Sequence, residues 1–253
     1  MVETPFLGNG KLYALNRQTG EIEWYKGLAT DNLEFKGDYV LLREGKIFTL
    51  ATVITTEPYD RHRDHLIRID ATSHIVEMTY NRPEPDVYTK TEHYALCNDS
   101  LIANFDYQEI PVKLLVAYNP AATAITWQKE LPKITGDIAC NEALDRIYVP
   151  SDPYLYALDA TTGQEVWRYT GFGKIYNPSV ANGVVYFISD TNMYALDETT
   201  GTRVFRYPLG YEGRDSTQVA IANGMLYFSG NGGTCDLFAL GALQKTFLPL
   251  VNR

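Results

Sequence analysis

Five residues recur along this chain in a form that few folds can use. Leu-Tyr-Ala-Leu-Asn at 12–16, Leu-Tyr-Ala-Leu-Asp at 155–159 and Met-Tyr-Ala-Leu-Asp at 193–197 are near copies of one another. Leu-Ile-Arg-Ile-Asp at 66–70, Leu-Val-Ala-Tyr-Asn at 115–119 and Leu-Phe-Ala-Leu-Gly at 237–241 are more distant copies. Their last residues stand at 16, 70, 119, 159, 197 and 241, so the spacings are 54, 49, 40, 38 and 44. A period of about 40 residues with insertions, met six times, marks a repeat architecture.

Each copy carries more than its five-residue core. Four residues beyond the anchor sits Gly20, Gly163 or Gly201, preceded by Thr19, Thr162 or Thr200. Eight residues beyond it sits Trp24, Met78, Trp127, Trp167 or Phe205. Asn or Asp at a strand end accepts backbone hydrogen bonds from the turn that follows, and Gly supplies the left-handed residue that closes it. The large side chain on the return strand is then free to pack against a neighbouring repeat. A second turn lies upstream, at Asn182-Gly183 and Asn223-Gly224, with Asn98-Asp99, Asn141-Glu142 and Lys36-Gly37 at the matching places. Each repeat therefore reads as four antiparallel strands, A to D. In the fifth copy they fall at about 177–181, 184–189, 192–197 and 202–207.

Four-stranded sheets of this size cannot bury both faces alone, and radial stacking covers them most economically. The expected fold is all-β: a β-propeller of six four-stranded repeats, forming a single domain over residues 1–253. The first repeat is short of its A strand, because Phe6 to Gly8 already align with strand B. Thr246 to Val251 fits either strand D of the last sheet or the vacant place beside repeat one. Residues 155–167, Leu-Tyr-Ala-Leu-Asp-Ala-Thr-Thr-Gly-Gln-Glu-Val-Trp, resemble the PQQ-like propeller repeat. The resemblance covers essentially the whole chain and implies the propeller fold. It leaves activity open, since that family holds quinoprotein alcohol dehydrogenases and non-catalytic relatives, an envelope-assembly lipoprotein among them.

Charge and cysteine content narrow the function classes. The net charge of −9 and a pI near 5.0 repel phosphate backbones, which argues against a nucleic-acid partner. No apolar run approaches the ~20 residues of a membrane span. The start, Met-Val-Glu-Thr-Pro-Phe, lacks a secretory signal as written, so a cytoplasmic location is expected; removal of a leader would instead mean export. Cys97, Cys140 and Cys235 are far apart and odd in number, so they are expected as small buried side chains and not as a disulfide framework.

Regular positions serve the fold, so candidate binding residues are sought where the pattern breaks. Arg68 stands where five copies carry Ala on strand C. Insertions lengthen the B–C connections at Thr52 to His65 and at Tyr107 to Lys113, and D–A connections run at Asn81 to Tyr88, Gly171 to Asn177 and Pro208 to Thr217. All of them open on one face of a propeller. That rim would hold Tyr59, Arg61, Arg63 and Tyr107 from the insertions, and Arg82, Tyr88, Phe172, Lys174, Tyr176, Tyr211 and Arg214 from the connections. Loops held by a rigid scaffold are where binding residues concentrate, and aromatic and Arg side chains make the strongest contacts.

Catalytic and metal chemistry is less well supported. Tyr59-Asp60-Arg61-His62-Arg63-Asp64-His65 carries two imidazoles, but its two arginines oppose a cation, so no metal is expected. His74 occupies a turn place where other copies carry Gly. A bound quinone is not expected: eight repeats would need about 320 residues, and no two cysteines are adjacent. No cofactor of any kind is expected. The expected function is that of a non-catalytic binding module for a protein or peptide partner, favouring a basic one, such as an inhibitor or immunity-type protein. The alternatives are a hydrolase or lyase using axial carboxylates such as Asp86, Asp106 and Asp215 on a sugar or small metabolite, and an envelope-assembly scaffold. The chain's nineteen tyrosines admit a sugar ligand, although Tyr13, Tyr156 and Tyr194 are repeat-core positions.

Overall fold

A computed structural model of the chain describes residues 10–28, 33–35, 40–53, 63–80, 89–107, 113–209, 219–229, 237–243 and 246–249. Among them, regular structure is β-strand apart from one short 3-10 turn at Glu142–Leu144, and no helix is long and apolar enough to cross a membrane. Two compact units make up the chain. The first comprises Met1–Glu92, Phe105–Val112 and Tyr118–Ile125; the second comprises His93–Asn104, Lys113–Ala117 and Thr126–Arg253.

The expected A-to-D unit recurs in order. Repeat five is Ser179–Ala181, Val184–Ser189, Asn192–Asp197 and Arg203–Pro208, and repeat four is Ala139–Asn141, Arg146–Ser151, Tyr154–Asp159 and Glu165–Thr170. Repeat six is Ala220–Ala222, Met225–Ser229, Leu237–Leu243 and Thr246–Pro249. Its last strand pairs antiparallel with Leu240–Leu243, which makes Thr246–Pro249 the D strand of that sheet. Repeat three is Tyr94–Cys97, Ser100–Tyr107, Lys113–Tyr118 and Ile125–Glu130, and repeat two is Leu41–Arg43, Lys46–Val53, Arg63–Asp70 and Val76–Thr79. Repeat one contributes strands C and D, Lys11–Leu15 and Ile22–Gly27.

The C–D turn is built the same way in repeats one, two, four and five. The anchor carboxylate or amide oxygen accepts from the amides two and three residues on, as Asp159 does from Thr161 and Thr162 and Asp197 from Thr199 and Thr200. Asn16 and Asp70 repeat the pattern. The closing residue is left-handed: Gly163 at φ 71°, Gly201 at φ 69°, and His74 at φ 60°. Hydrogen bonding holds the Asp197 carboxyl below the usual carboxylate range, first from the Thr200 hydroxyl and then from its backbone amide.

This turn is the seat for the large side chain of the preceding repeat. Trp127 donates its indole N–H to the Ala160 carbonyl at 2.9 Å, and Trp167 donates to the Glu198 carbonyl at 2.9 Å. Both carbonyls lie one residue beyond the anchor. The indoles cover Gly163 and Gly201, where a Cβ would come within 2.7 Å of Trp127 and 2.6 Å of Trp167. Opposite each large residue on the sheet stands a small one: Ala14 faces Trp24, Ala157 faces Trp167 and Ala195 faces Phe205. Strand C meanwhile serves two junctions. Leu155 and Ala157 pack toward Val185 and Phe187 of repeat five, while Tyr156 and Leu158 pack toward Ile102 and Leu115 of repeat three. In the first unit Leu12 and Trp24 pack on Ile47, Ile67 and Ile69, and Trp24 stacks on the His74 ring at 4.1 Å.

Repeat two departs from the pattern at two linked positions. Met78 replaces the indole, and Arg68, directly opposite, replaces alanine. Arg68 Nη1 donates to the Pro120 carbonyl at 2.7 Å, the same place beyond the anchor that accepts an indole elsewhere. Tyr80 donates its hydroxyl to that oxygen at 2.6 Å, and burial pushes this phenol up to about 12, so it stays protonated. Glu77 holds the guanidinium at 3.1 Å. Arg68, expected as a binding residue, thus fills the place of a missing tryptophan.

Three further expectations are corrected. The A–B turn of repeat two is Glu44-Gly45, both left-handed, and not Lys36-Gly37, which lies outside the described residues. Leu33–Phe35 and Leu41–Arg43 both pair with Lys46–Val53, so the turn lies eight residues beyond the expected one. The connection after Asn141 is a 3-10 turn closed by left-handed Asp145, not a two-residue turn. Cys97 and Cys140 form a disulfide, in place of the three free thiols expected.

Two measurements test the junction. Gly183 is left-handed with nothing near its Cβ position; Gly183→Ala should cost about 1–2 kcal/mol in urea unfolding, from backbone strain alone. Gly201→Ala should cost a further ~1–3 kcal/mol because it displaces the Trp167 ring; equal losses would show that the indole does not depend on this glycine. Arg68→Ala should cost about 1–2 kcal/mol, and the double variant Arg68→Ala/Met78→Trp should recover most of it. A double variant no more stable than Arg68→Ala would refute the exchange.

Candidate functional site

The ends of strands B and D converge on one face of each repeat, and in the second unit the D–A connections are stitched to the following sheet. Thr135 N donates to Pro150 O at 3.0 Å and Asp152 N to Lys133 O at 2.9 Å. One repeat later, Tyr176 N donates to Ile188 O at 2.9 Å, and the Ser189 hydroxyl donates to Gly173 O at 3.2 Å. Ser151 and Ser189, buried and repeat-equivalent, bridge to Ile134 and Ile175. The B–C turns Asp152-Pro153 and Asp190-Thr191 therefore sit beside the connections, as the strand order predicts.

This stitching fixes the connection 171–177 on both sides. Gly171 N donates to Pro153 O at 2.8 Å, and Gly173 lies against the Asp190 Cβ. Between these two glycines Phe172 is 72% exposed. Lys174 lies with its ammonium 5.1 Å from the Tyr176 ring centroid, a cation–π distance. Phe172, Lys174 and Tyr176, expected together on the rim, are brought together here. Asp152 and Asp190 flank them, and their place in the turns was not singled out in the sequence.

The other expected rim residues divide into three groups. Tyr107 is buried at the end of strand B, where it pairs with Thr89 of a short added strand, Thr89–Lys90; the strand runs further than the insertion implied, so this side chain belongs to the core. Arg63 lies on strand C opposite Val53 and in register with Thr89. Tyr59, Arg61, Arg82, Tyr88, Tyr211 and Arg214 lie outside the described residues, as do Asp86 and Asp215. Asp106 is on strand B, opposite Lys90.

A polar line runs along the starts of the inner strands of the second unit. The A strands are innermost because those of successive repeats abut one another. His93, Asp137 and Asn177 occupy equivalent positions in repeats three, four and five. His93 Nδ1 lies 2.9 Å from Asp137 Oδ1, and Asp137 N donates to Asn177 Oδ1 at 2.8 Å. Gly136 permits this approach, since a Cβ there would meet the Asn177 side chain. A polar residue one or two places ahead of each A strand is the available sequence signal. Among the described residues no group of three or more His, Cys, Asp or Glu is placed to hold a metal ion.

Residues 112–239 match the family described as outer membrane protein assembly factor BamB. No curated protein matches. Among solved structures, a quinohemoprotein alcohol dehydrogenase from Pseudomonas putida HK5 is similar with a TM-score of 0.66 and 12% identity, over 93% of this chain and 50% of its own. Sqt1 of Saccharomyces cerevisiae is similar at 0.63 and 10% identity, over 92% and 64%. BamB from Moraxella catarrhalis is similar at 0.50 and 15% identity, over 87% and 76%. The chain spans half the length of the dehydrogenase, and at these identities the structures establish the fold alone. The repeat chemistry, the four-stranded sheets and the match over residues 112–239 together place this chain in the PQQ-like repeat β-propeller family that includes BamB.

Proposed function

We propose that this chain is a non-catalytic binding module whose D–A and B–C loops receive a protein or peptide partner. The observation that carries this reading is Phe172. Its ring is 72% exposed at the tip of a connection held by hydrogen bonds on both sides. A large apolar ring on a rigid loop gains nothing for folding, but covering it on binding removes apolar surface from water at no cost in loop ordering. Asp152 and Asp190 beside it, with the net charge of −9, favour a partner that offers an apolar pocket bordered by basic groups.

A small inhibitor or immunity-type protein that neutralises a basic toxin fits this charge. The match to an outer membrane protein assembly factor supports a second reading, an envelope-assembly scaffold. Both are protein-binding roles. The hydrolase or lyase reading rests on Asp86, Asp106 and Asp215, of which Asp106 stands on strand B opposite Lys90.

A photo-crosslinking residue at position 172 should capture a partner that the same residue at 204 does not; Val204 is a comparably exposed control at 63%. Against that partner, Phe172→Ala should weaken binding about tenfold or more, as a buried aromatic anchor does, while Val204→Ala leaves it unchanged. Equal affinities for the two variants would remove this face from the interaction.

A further inference from the structure

Repeats three and four are joined by a covalent bond that the repeat itself does not require. Cys97 ends the inner strand Tyr94–Cys97, and Cys140 is the central residue of Ala139–Asn141, with Cα atoms 5.6 Å apart. By the A–B pairing, Cys97 is equivalent to Asn141, Ala181 and Ala222, and Cys140 to Leu96, Val180 and Ile221. The corresponding pairs one and two junctions later are therefore Asn141 with Val180 and Ala181 with Ile221. Among the described residues cysteines occur at one junction only, on both of its sides, so they are a feature added to the repeat.

That junction is already positioned by other contacts. At the start of the same two strands His93 Nδ1 meets Asp137 Oδ1 at 2.9 Å. Beyond their ends, Asn98 donates to the Glu142 carbonyl at 2.8 Å and to Asp145 Oδ1 at 3.0 Å. The thiols are thus brought into bonding range by the packing of the two sheets. Cys97 is fully buried among Ala95, Ile102 and Ile147, while Cys140 is half-buried beside the same cluster.

We infer that this protein completes its fold in an oxidising compartment, where Cys97–Cys140 forms and persists as a permanent staple. Reducing compartments keep such thiols apart, whereas disulfides form and last in secreted and envelope proteins. The step requires a disulfide oxidant. One cysteine thiolate attacks it and releases one oxidant thiolate. The second cysteine thiolate then displaces the other from the mixed disulfide, so two electrons pass to the oxidant and its two thiolates take up the two protons. With three cysteines in the chain, one thiol remains, Cys235. This inference does not depend on the proposed binding face.

Acid-trapping of the protein in the cells that make it, followed by denaturation and alkylation, should label one thiol without reductant and three after reduction. Reduction should lower the melting temperature by about 5–15 °C, while a Cys97→Ala/Cys140→Ala variant should melt at the same temperature with and without reductant. Three labelled thiols in the trapped protein or a melting temperature unmoved by reduction would each overturn the inference.

Discussion

An indole laid over a left-handed glycine, with its N–H on the next carbonyl, is the contact on which the other features of these repeats depend. A four-stranded sheet has two apolar faces and cannot cover either by itself. The Asn or Asp anchor folds the C–D turn so that one carbonyl points outward and the following glycine offers bare backbone. Trp127 and Trp167 fill that place, and their polar edge is satisfied where an apolar side chain would leave the carbonyl unpaired. Alanine at the centre of strand C follows from the same demand, since the residue opposite a large ring must be small. One contact therefore explains four of the recurring residue choices.

With the sheets fixed at their outer turns, the inner strands and the connections are fixed as well. Glu198 shows how closely the levels are joined. Its carbonyl accepts from Trp167 and from Arg146 Nη1, while its buried carboxylate accepts from Asn141 Nδ2 and the Tyr148 hydroxyl, both at 2.6 Å. Burial, with that hydrogen bond second, pushes the Tyr148 phenol well above its usual range and keeps it a donor. A turn residue of repeat five thus holds the first two strands of repeat four.

The periodic part of this structure was legible in the sequence, because each repeated residue answers a repeated physical need. Strands of repeat five fall within one or two residues of their expected bounds, and B–C and D–A loops share a face as strand order requires. The misreadings lie where an element answers a local need. Lys36-Gly37 and Glu44-Gly45 offer the same turn chemistry, and only the pairing of two segments with one strand distinguishes them. Tyr107 was read as loop because strand B outgrows the repeat. The disulfide does have a sequence signal: its separation of 43 residues is one repeat length, which places both cysteines on the same strand of adjacent repeats.

A departure from a repeat pattern has two physical meanings, and the neighbouring junction separates them. Arg68 breaks the alanine rule, but Met78 opposite it breaks the tryptophan rule, and the guanidinium reaches the carbonyl that the indole left vacant. His74 breaks the glycine rule, yet it keeps the left-handed backbone and gives Trp24 a ring to stack on. Both are compensated within the junction, so folding accounts for them fully. Phe172 differs in kind. Its neighbours Gly171 and Gly173 serve the stitching of the loop, but the ring projects into water, where folding makes no use of it. Exposure alone does not mark a binding residue, since Val204 on strand D is 63% exposed; what sets Phe172 apart is its place between two glycines on a connection held from both sides, and this separates it from Arg68, which its own junction accounts for.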